Sequence, residues 1–277
     1  MAIKLAALDI DGTLLDSHGN LPAENGRAIE ESVRQGVKVI LVSGRRWSMA
    51  CKVSAALGLD SPVVAHNGAL IRSPADSHRL ASRFLNPLLA AEILAHSEQY
   101  FSYLVLHRDR DSHSQTVIHP ACLKNLPMQA YLGQFPEGVM EAESLLPWAD
   151  AELIQIMFGG ELSAILHIED MLQSSGLLEQ VKLSKTYYPQ KNLGIIDLLD
   201  RDCSKRTALE FLAEFYGFSR DETLAIGDNH NDLEMLQYAG IGVVVGNCVP
   251  ELKGRGFEET ASNNAAGVAQ ALRRFIG

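Results

Sequence analysis

The segment Lys4-Leu5-Ala6-Ala7-Leu8-Asp9-Ile10-Asp11-Gly12-Thr13-Leu14-Leu15 decides how the rest of the chain is read. Its apolar run, Lys4 to Ile10, ends on carboxylates, which fits a strand buried on both faces with a loop at its carboxyl end. In open α/β sheets ligands bind outside the carboxyl ends of the strands, and Asp9 and Asp11 stand two residues apart at such an end. Crowded carboxylates repel unless they share a positive charge. A hard divalent cation, Mg2+, answers that need, with water and a substrate phosphate completing its shell. Taken alone, the same residues fit a solvated acidic turn, so the reading depends on the rest of the chain.

Downstream, Pro22 to Gln35 reads as a helix: Pro22 suits a first turn, Ala28, Ile29 and Val33 form an apolar stripe, and Gly36 stops it. Val37 to Val42 is a second buried strand, Ser43-Gly44 turns the chain into a helix over Trp47 to Leu57, and Pro62 to Ala65 is a third strand. Asn67-Gly68 signals a hairpin into Ala69 to Arg72. The last part of the chain alternates in the same way, with helices at Lys205 to Tyr216, Asn231 to Leu236 and Ala265 to Ile276, and strands at Thr223 to Ile226 and Ile241 to Val245.

Residues Phe84 to Gln190 lack that regularity. Helices are predicted at Pro87 to Gln99 and Glu161 to Gln173, and strands at Tyr100 to His107, Gln115 to His119, Ile154 to Phe158 and Val181 to Lys185, with a solvated polar loop at Arg108 to Ser114. The expected fold is therefore α/β: a doubly wound, Rossmann-like parallel-sheet core built from residues 1–82 and 193–277, with an inserted α/β cap domain over 83–192. A cap would exclude water from the strand ends and carry specificity.

A second acidic cluster, Gly227-Asp228-Asn229-His230-Asn231-Asp232, again follows an apolar strand. Asp228 at the strand end can complete a metal site with the first cluster, and Asp232, four residues on, would share its helix face. A calcium loop is excluded, because His230, Leu233 and Ala239 take the third, sixth and twelfth positions. Ser43 and Gly44 open a helix, so the hydroxyl and the amide suit an anion, although Ser43 alone also fits a plain helix cap. Lys205 sits at a helix start, where a cation opposes the dipole unless carboxylates or a phosphate partner it.

Composition narrows the function classes. With 24 Lys and Arg against 34 Asp and Glu, the chain carries a net charge of -10, which argues against nucleic acid or an anionic membrane as partner. No apolar run approaches the roughly 20 residues of a membrane span, and Met1 to Ile10 lacks a secretion signal, so a cytoplasmic location is expected. Cys51, Cys122, Cys203 and Cys248 form no CxxC pair and read as reduced residues. Gly240 to Gly246 has the wrong spacing for a dinucleotide loop and reads as strand.

Together, DxDGTLL at 9–15, SGR at 43–45, NGA at 67–69, the helix-opening Lys205 and GDNHND at 227–232 resemble the haloacid dehalogenase superfamily. Within it, the chain resembles the Cof-type phosphatases with a large α/β cap, over residues 3 to 80 and 193 to 276. The resemblance implies a Mg2+-dependent phosphatase of small phosphorylated metabolites, sugar phosphates or phosphorylated cofactors. It makes Asp9 the nucleophile that forms an aspartyl-phosphate and Asp11 the general acid and base. The metal would be held by the Asp9 carboxylate, the Asp11 carbonyl and Asp228; Ser43, the amides of Ile10 and Gly44, Lys205 and Asn231 would bind the phosphoryl oxygens. Asp232 would orient Lys205 or a metal-bound water. Arg206, where a small residue is usual, and Asp200-Arg201-Asp202-Cys203, in place of a short Pro/Gly turn, depart from the pattern near the site's mouth. A phosphomutase using the same intermediate, or a receiver-like phospho-switch, are the alternatives, and the protein is expected as a monomer or homodimer.

Overall fold

The computed structural model describes residues 2–110, 113–134 and 138–277. The first strand, β1 (Leu5–Leu8), is apolar throughout because its two faces meet different layers. Ala6 and Leu8 enter one buried cluster, while Leu5 and Ala7 enter another. The chain continues through α1 (Ala23–Arg34), β2 (Lys38–Leu41), α2 (Trp47–Ala56), β3 (Val63–Ala65), β4 (Leu70–Arg72) and β5 (Arg79–Ser82). β3 and β4 are antiparallel across the turn that Asn67-Gly68 signals.

A second compact unit, Ser82–Cys203, holds α3 (Pro87–His96), β6 (Leu104–Arg110), β7 (His113–Ile118), α4 (Leu126–Leu132), β8 (Val139–Glu141), β9 (Leu153–Glu161), α5 (Leu162–Ser174), β10 (Lys182–Tyr188) and β11 (Leu193–Leu199). Its sheet runs β10-β11-β9-β6-β7-β8, antiparallel except between β7 and β8. Ile93 and Leu94 of α3 and Ile165, Ile168 and Leu172 of α5 share a buried cluster with Leu106, Ile156, Phe158 and Leu198 of the sheet.

The first unit resumes with α6 (Lys205–Tyr216), β12 (Thr223–Gly227), α7 (Leu233–Tyr238), β13 (Ile241–Val244), β14 (Glu258–Glu259) and α8 (Gly267–Phe275). Ser204 and Thr207 cap the start of α6 reciprocally, and Gly217 ends it at φ +71°. The sheet order is β14-β13-β12-β1-β2, all parallel. α1, α2 and α8 contribute Ile29, Ala50, Val268 and Leu272 to one face, whereas α6 and α7 contribute Leu209, Leu212 and Met235 to the other, so the sheet is doubly wound. Asp9 and Asp228 leave adjacent strands at the same sheet edge.

Three sequence readings are corrected. The expected core boundary at residue 193 differs from the structure: Leu193–Leu199 forms β11, paired antiparallel with β10 and β9 in the second unit, and the first unit resumes at Ser204. The polar run after His107 is not a solvated loop at its start: His107, Arg108 and Asp109 lie buried in β6. Arg108 donates 2.8 Å to Glu152 and also pairs with Asp150, with its guanidinium 4.9 Å from the Trp148 ring centre. Buried charge is tolerated when it is paired in this way. Finally, α7 begins at Leu233, so Asp228 and Asp232 do not share a helix face; a tight 3-10 turn at His230–Asp232 separates them.

Candidate active site

Asp9 follows β1 directly, its N–H bonded to the Ile226 carbonyl on β12 (3.0 Å). Lys205, the first residue of α6, places Nζ 2.6 Å from Asp9 Oδ1 and 2.6 Å from Asp232 Oδ1. All three are buried, so an ammonium that opposes the helix dipole is held by two carboxylates instead of water. The second oxygen of Asp232 accepts the N–H groups of Asp228 and Asn229, both at 3.0 Å. Asp228 accepts a hydrogen bond from Thr13 Oγ1 (3.0 Å). Gly12 permits that approach: it sits at φ +79°, and a Cβ there would lie 2.4 Å from Asp228 Oδ2.

Ser43 and Gly44 lie just beyond β2, the other neighbour of β1. Ser43 is buried, and its Oγ accepts the Arg45 N–H (3.1 Å). The Arg45 guanidinium in turn holds Asp11 in a bidentate pair, Nε to Oδ2 at 2.7 Å and Nη2 to Oδ1 at 2.6 Å. Asp11's carboxylate is therefore directed to Arg45, away from the buried carboxylate cluster. Asn231 Nδ2 donates to Asn67 Oδ1 (2.9 Å), and Asn67 lies beside Gly44, where a Cβ would stand 3.1 Å from its amide. Gly68, at φ +105°, brings this turn against the start of α6, since a Cβ would lie 2.2 Å from the Ser204 carbonyl oxygen. Ile10 is buried at the base of the loop, its carbonyl accepting the Leu15 N–H (3.0 Å).

The electrostatics follow from burial. Desolvation pushes Asp9 well above the usual carboxylate range; Lys205 opposes this, while Asp232 and Asp228 add to it. Burial, then Asp232, pushes Asp228 up to about 7. Burial alone would lower Lys205, but Asp232 and Asp9 outweigh it and hold the ammonium above its ordinary range. One ammonium thus faces three buried carboxylates. Oxygens of Asp9, Asp228 and Asp232 lie within 4.8 Å of one another, a donor set that suits a hard cation. Asp232 has both oxygens committed to Lys205 and to two amides, so Asp9 and Asp228 are the members of the cluster that could hold a cation.

Sequence reasoning quoted Thr13, Arg45 and Asn67 inside motifs without giving them a task. The structure puts each on a site residue: Thr13 on Asp228, Arg45 on Asp11 and Asn67 on Asn231. For Asn67 the sequence signal was the Asn-Gly pair, since Asn tolerates the left-handed backbone that the residue adopts here at φ +54°.

The profile of the haloacid dehalogenase-like hydrolases matches residues 6–272. The chain is similar to the 5-amino-6-(5-phospho-D-ribitylamino)uracil phosphatase YwtE of Bacillus subtilis, at 31% identity over 99% of this chain and 98% of that protein. It is similar also to the phosphoglycolate phosphatase of Methanothermobacter thermautotrophicus, at 26% identity over 99% of this chain and all of that one. A crystal structure of a haloacid dehalogenase-like hydrolase from Bacteroides thetaiotaomicron shares the fold, with TM-score 0.81, 22% identity, and coverage of 98% of this chain and 99% of the other. Among the described residues no helix is long and apolar enough to cross a membrane. Buried acids at the ends of a doubly wound parallel sheet, and a match that spans both units, place the chain in the haloacid dehalogenase-like hydrolases, as a phosphatase.

Proposed function

We propose that the protein hydrolyses phosphate monoesters of small metabolites, sugar phosphates or phosphorylated cofactors, through an aspartyl-phosphate on Asp9. The observation that carries this reading is the Asp9–Lys205–Asp232 chain, which buries a carboxylate at the strand end and fixes its direction. An Asp9 oxygen attacks phosphorus and the ester oxygen leaves, taking a proton from Asp11; a water then attacks the aspartyl-phosphate, gives its proton back to Asp11, and releases phosphate. The charge on the phosphoryl oxygens is met by Lys205, the Ser43 hydroxyl, the amides of Ile10 and Gly44, and the Asn231 amide group. The Asp9 and Asp228 carboxylates and the Asp11 carbonyl would hold Mg2+, which when bound supplies charge neutralisation to those oxygens. For Asp11 to pass a proton to the leaving group and take one from water, its bidentate pair with Arg45 has to open and the carboxyl has to turn toward Asp9.

The test is phosphate release from a panel of phosphorylated metabolites, with Mg2+ and with chelator, for the wild type beside Asp9→Asn. Release that needs the metal and is lost in Asp9→Asn is the expected result. A folded Asp9→Asn protein with near-normal rates refutes the mechanism, and isomerised ester without free phosphate identifies a mutase instead.

A further inference from the structure

The loop that follows Asp9 closes a single wide helical turn over Ile10–Leu14 and is held from outside by side chains. Leu15 donates to Ile10, but the carbonyls of Gly12, Leu14 and Leu15 are met by three asparagine side chains from elsewhere in the first unit. Asn247, just past β13, donates Nδ2 to the Gly12 carbonyl (2.7 Å). Asn25 of α1 donates to Leu14 (2.9 Å), and Asn263 donates to Leu15 (2.9 Å). Each of the three also accepts a backbone N–H through its Oδ1: Asn25 from Ala269 of α8, Asn247 from Asn263, and Asn263 from Asn264 (2.9, 2.8 and 2.9 Å). Asn264 extends the series by accepting the Ser17 N–H at 2.9 Å.

A buried loop must find partners for its carbonyls, and water would satisfy them without fixing a shape. Asparagine is suited to do more, because one side chain can donate to the loop and accept from a second segment at once. The three amides fasten Gly12 to Leu15 onto residues 247–269, about 240 positions later in the chain. Gly12, at φ +79°, is the pivot of the loop, and Asn247 fixes the carbonyl of that residue, one peptide beyond Asp11.

We propose that Asn25, Asn247 and Asn263 form a clamp that holds the Asp9–Leu15 loop in its working conformation, which makes the carboxyl-terminal segment part of the catalytic apparatus. They are positioning residues, acting through the loop. The inference rests on the reading of that loop as the catalytic one.

Asn247→Asp tests the clamp selectively. It keeps the oxygen that accepts from Asn263 and loses the N–H that holds Gly12; Asn247→Ala loses both and adds no charge. Asn247 is exposed, so neither change opens a cavity in the core. Amide hydrogen exchange over residues 9–17 of the metal-free protein is read by mass spectrometry, and kcat and KM are measured with p-nitrophenyl phosphate. The expected result for both variants is exchange about 5–30-fold faster in that segment, the factor expected for the loss of one or two hydrogen bonds, with unchanged exchange in the second unit. With it, kcat falls while KM stays within about twofold, because the group that does chemistry moves more than the groups that bind. Unchanged exchange at 9–17 overturns the clamp, and faster exchange with unchanged kcat overturns its positioning role. The exchange arm does not depend on catalysis, so a wild type that releases no phosphate would refute the proposed activity without touching the clamp.

Discussion

Lys205→Met is the most informative single change that the structure offers. Met fills much of the lysine's volume, yet removes the ammonium that stands 2.6 Å from both Asp9 and Asp232 in a region closed to solvent. Taking away one partner of a buried ion pair leaves uncompensated charge and costs about 3–5 kcal/mol. The burial that already lifts Asp9 would lift it further, so part of the cost is taken as protonation, and the lower end, about 3 kcal/mol, is the firmer figure. For a unit of this size, each kcal/mol moves the melting midpoint by about 2–4 °C, so the loss should be about 6–12 °C or more.

The assay is urea unfolding of the metal-free protein. The chain has two tryptophans, Trp47 in the first unit and Trp148 in the second, so a Trp148→Phe background makes fluorescence report on the unit that holds the site. Repeating the substitution in Asp9→Asn should shrink the cost, since one of the stranded carboxylates is then gone. A loss below about 1 kcal/mol with an unchanged denaturant slope would refute the reasoning, because it would mean that Lys205 offsets no buried charge.

Two further outcomes follow. Mg2+ added to the metal-free protein should raise the melting midpoint, by the equivalent of about 2.7 kcal/mol at 100 times the dissociation constant, and Asp228→Asn should abolish most of that rise in a thermal-shift titration; an undiminished rise would remove Asp228 from the ion. At the far end of the sheet, Lys4 pairs with Glu222 at 2.6 Å, and hydrogen bonds from Lys4 and Ser219 hold that carboxyl down to about 2, from a usual 4.5. A depressed acid contributes stability above its unfolded pKa and loses it as the pH falls through its folded value, so Glu222→Gln should lower stability by a constant amount above pH 4.5 and flatten the profile between pH 4.5 and 2, where the two proteins converge; urea midpoints from pH 7 to 2 decide it.

Much of the first unit was legible because its signals are local. β1 reads as a doubly buried strand from its apolar run, and α6 over its full Lys205–Tyr216 span. The acids were legible for the same reason, since strand ends point ligand groups at one edge of the sheet. What escaped was tertiary. LGIIDLL at 193–199 has the composition of a core strand, and only pairing with β9 and β10 decides which sheet it joins. Arg108 looked like a surface charge until Asp150, Glu152 and Trp148, more than 35 positions away in sequence, closed around it. Arg45 sat in plain view within a motif, but its bidentate hold on Asp11 depends on β2 lying beside β1, a neighbour relation that spacing does not state.

The order of the sheet also bears on how the protein is made. β1 is flanked by β2, which is synthesised soon after it, and by β12, which emerges only after the whole inserted unit. At about 5–20 residues per second, Asp9 leaves the ribosome on the order of 10–40 s before Lys205. Through that interval a strand with the sequence LAAL has half of its edge unpaired, and a carboxylate destined for burial has no counter-ion. The early chain therefore cannot seal its catalytic end, and a product truncated near residue 200 would display an apolar edge to its neighbours rather than a folded half.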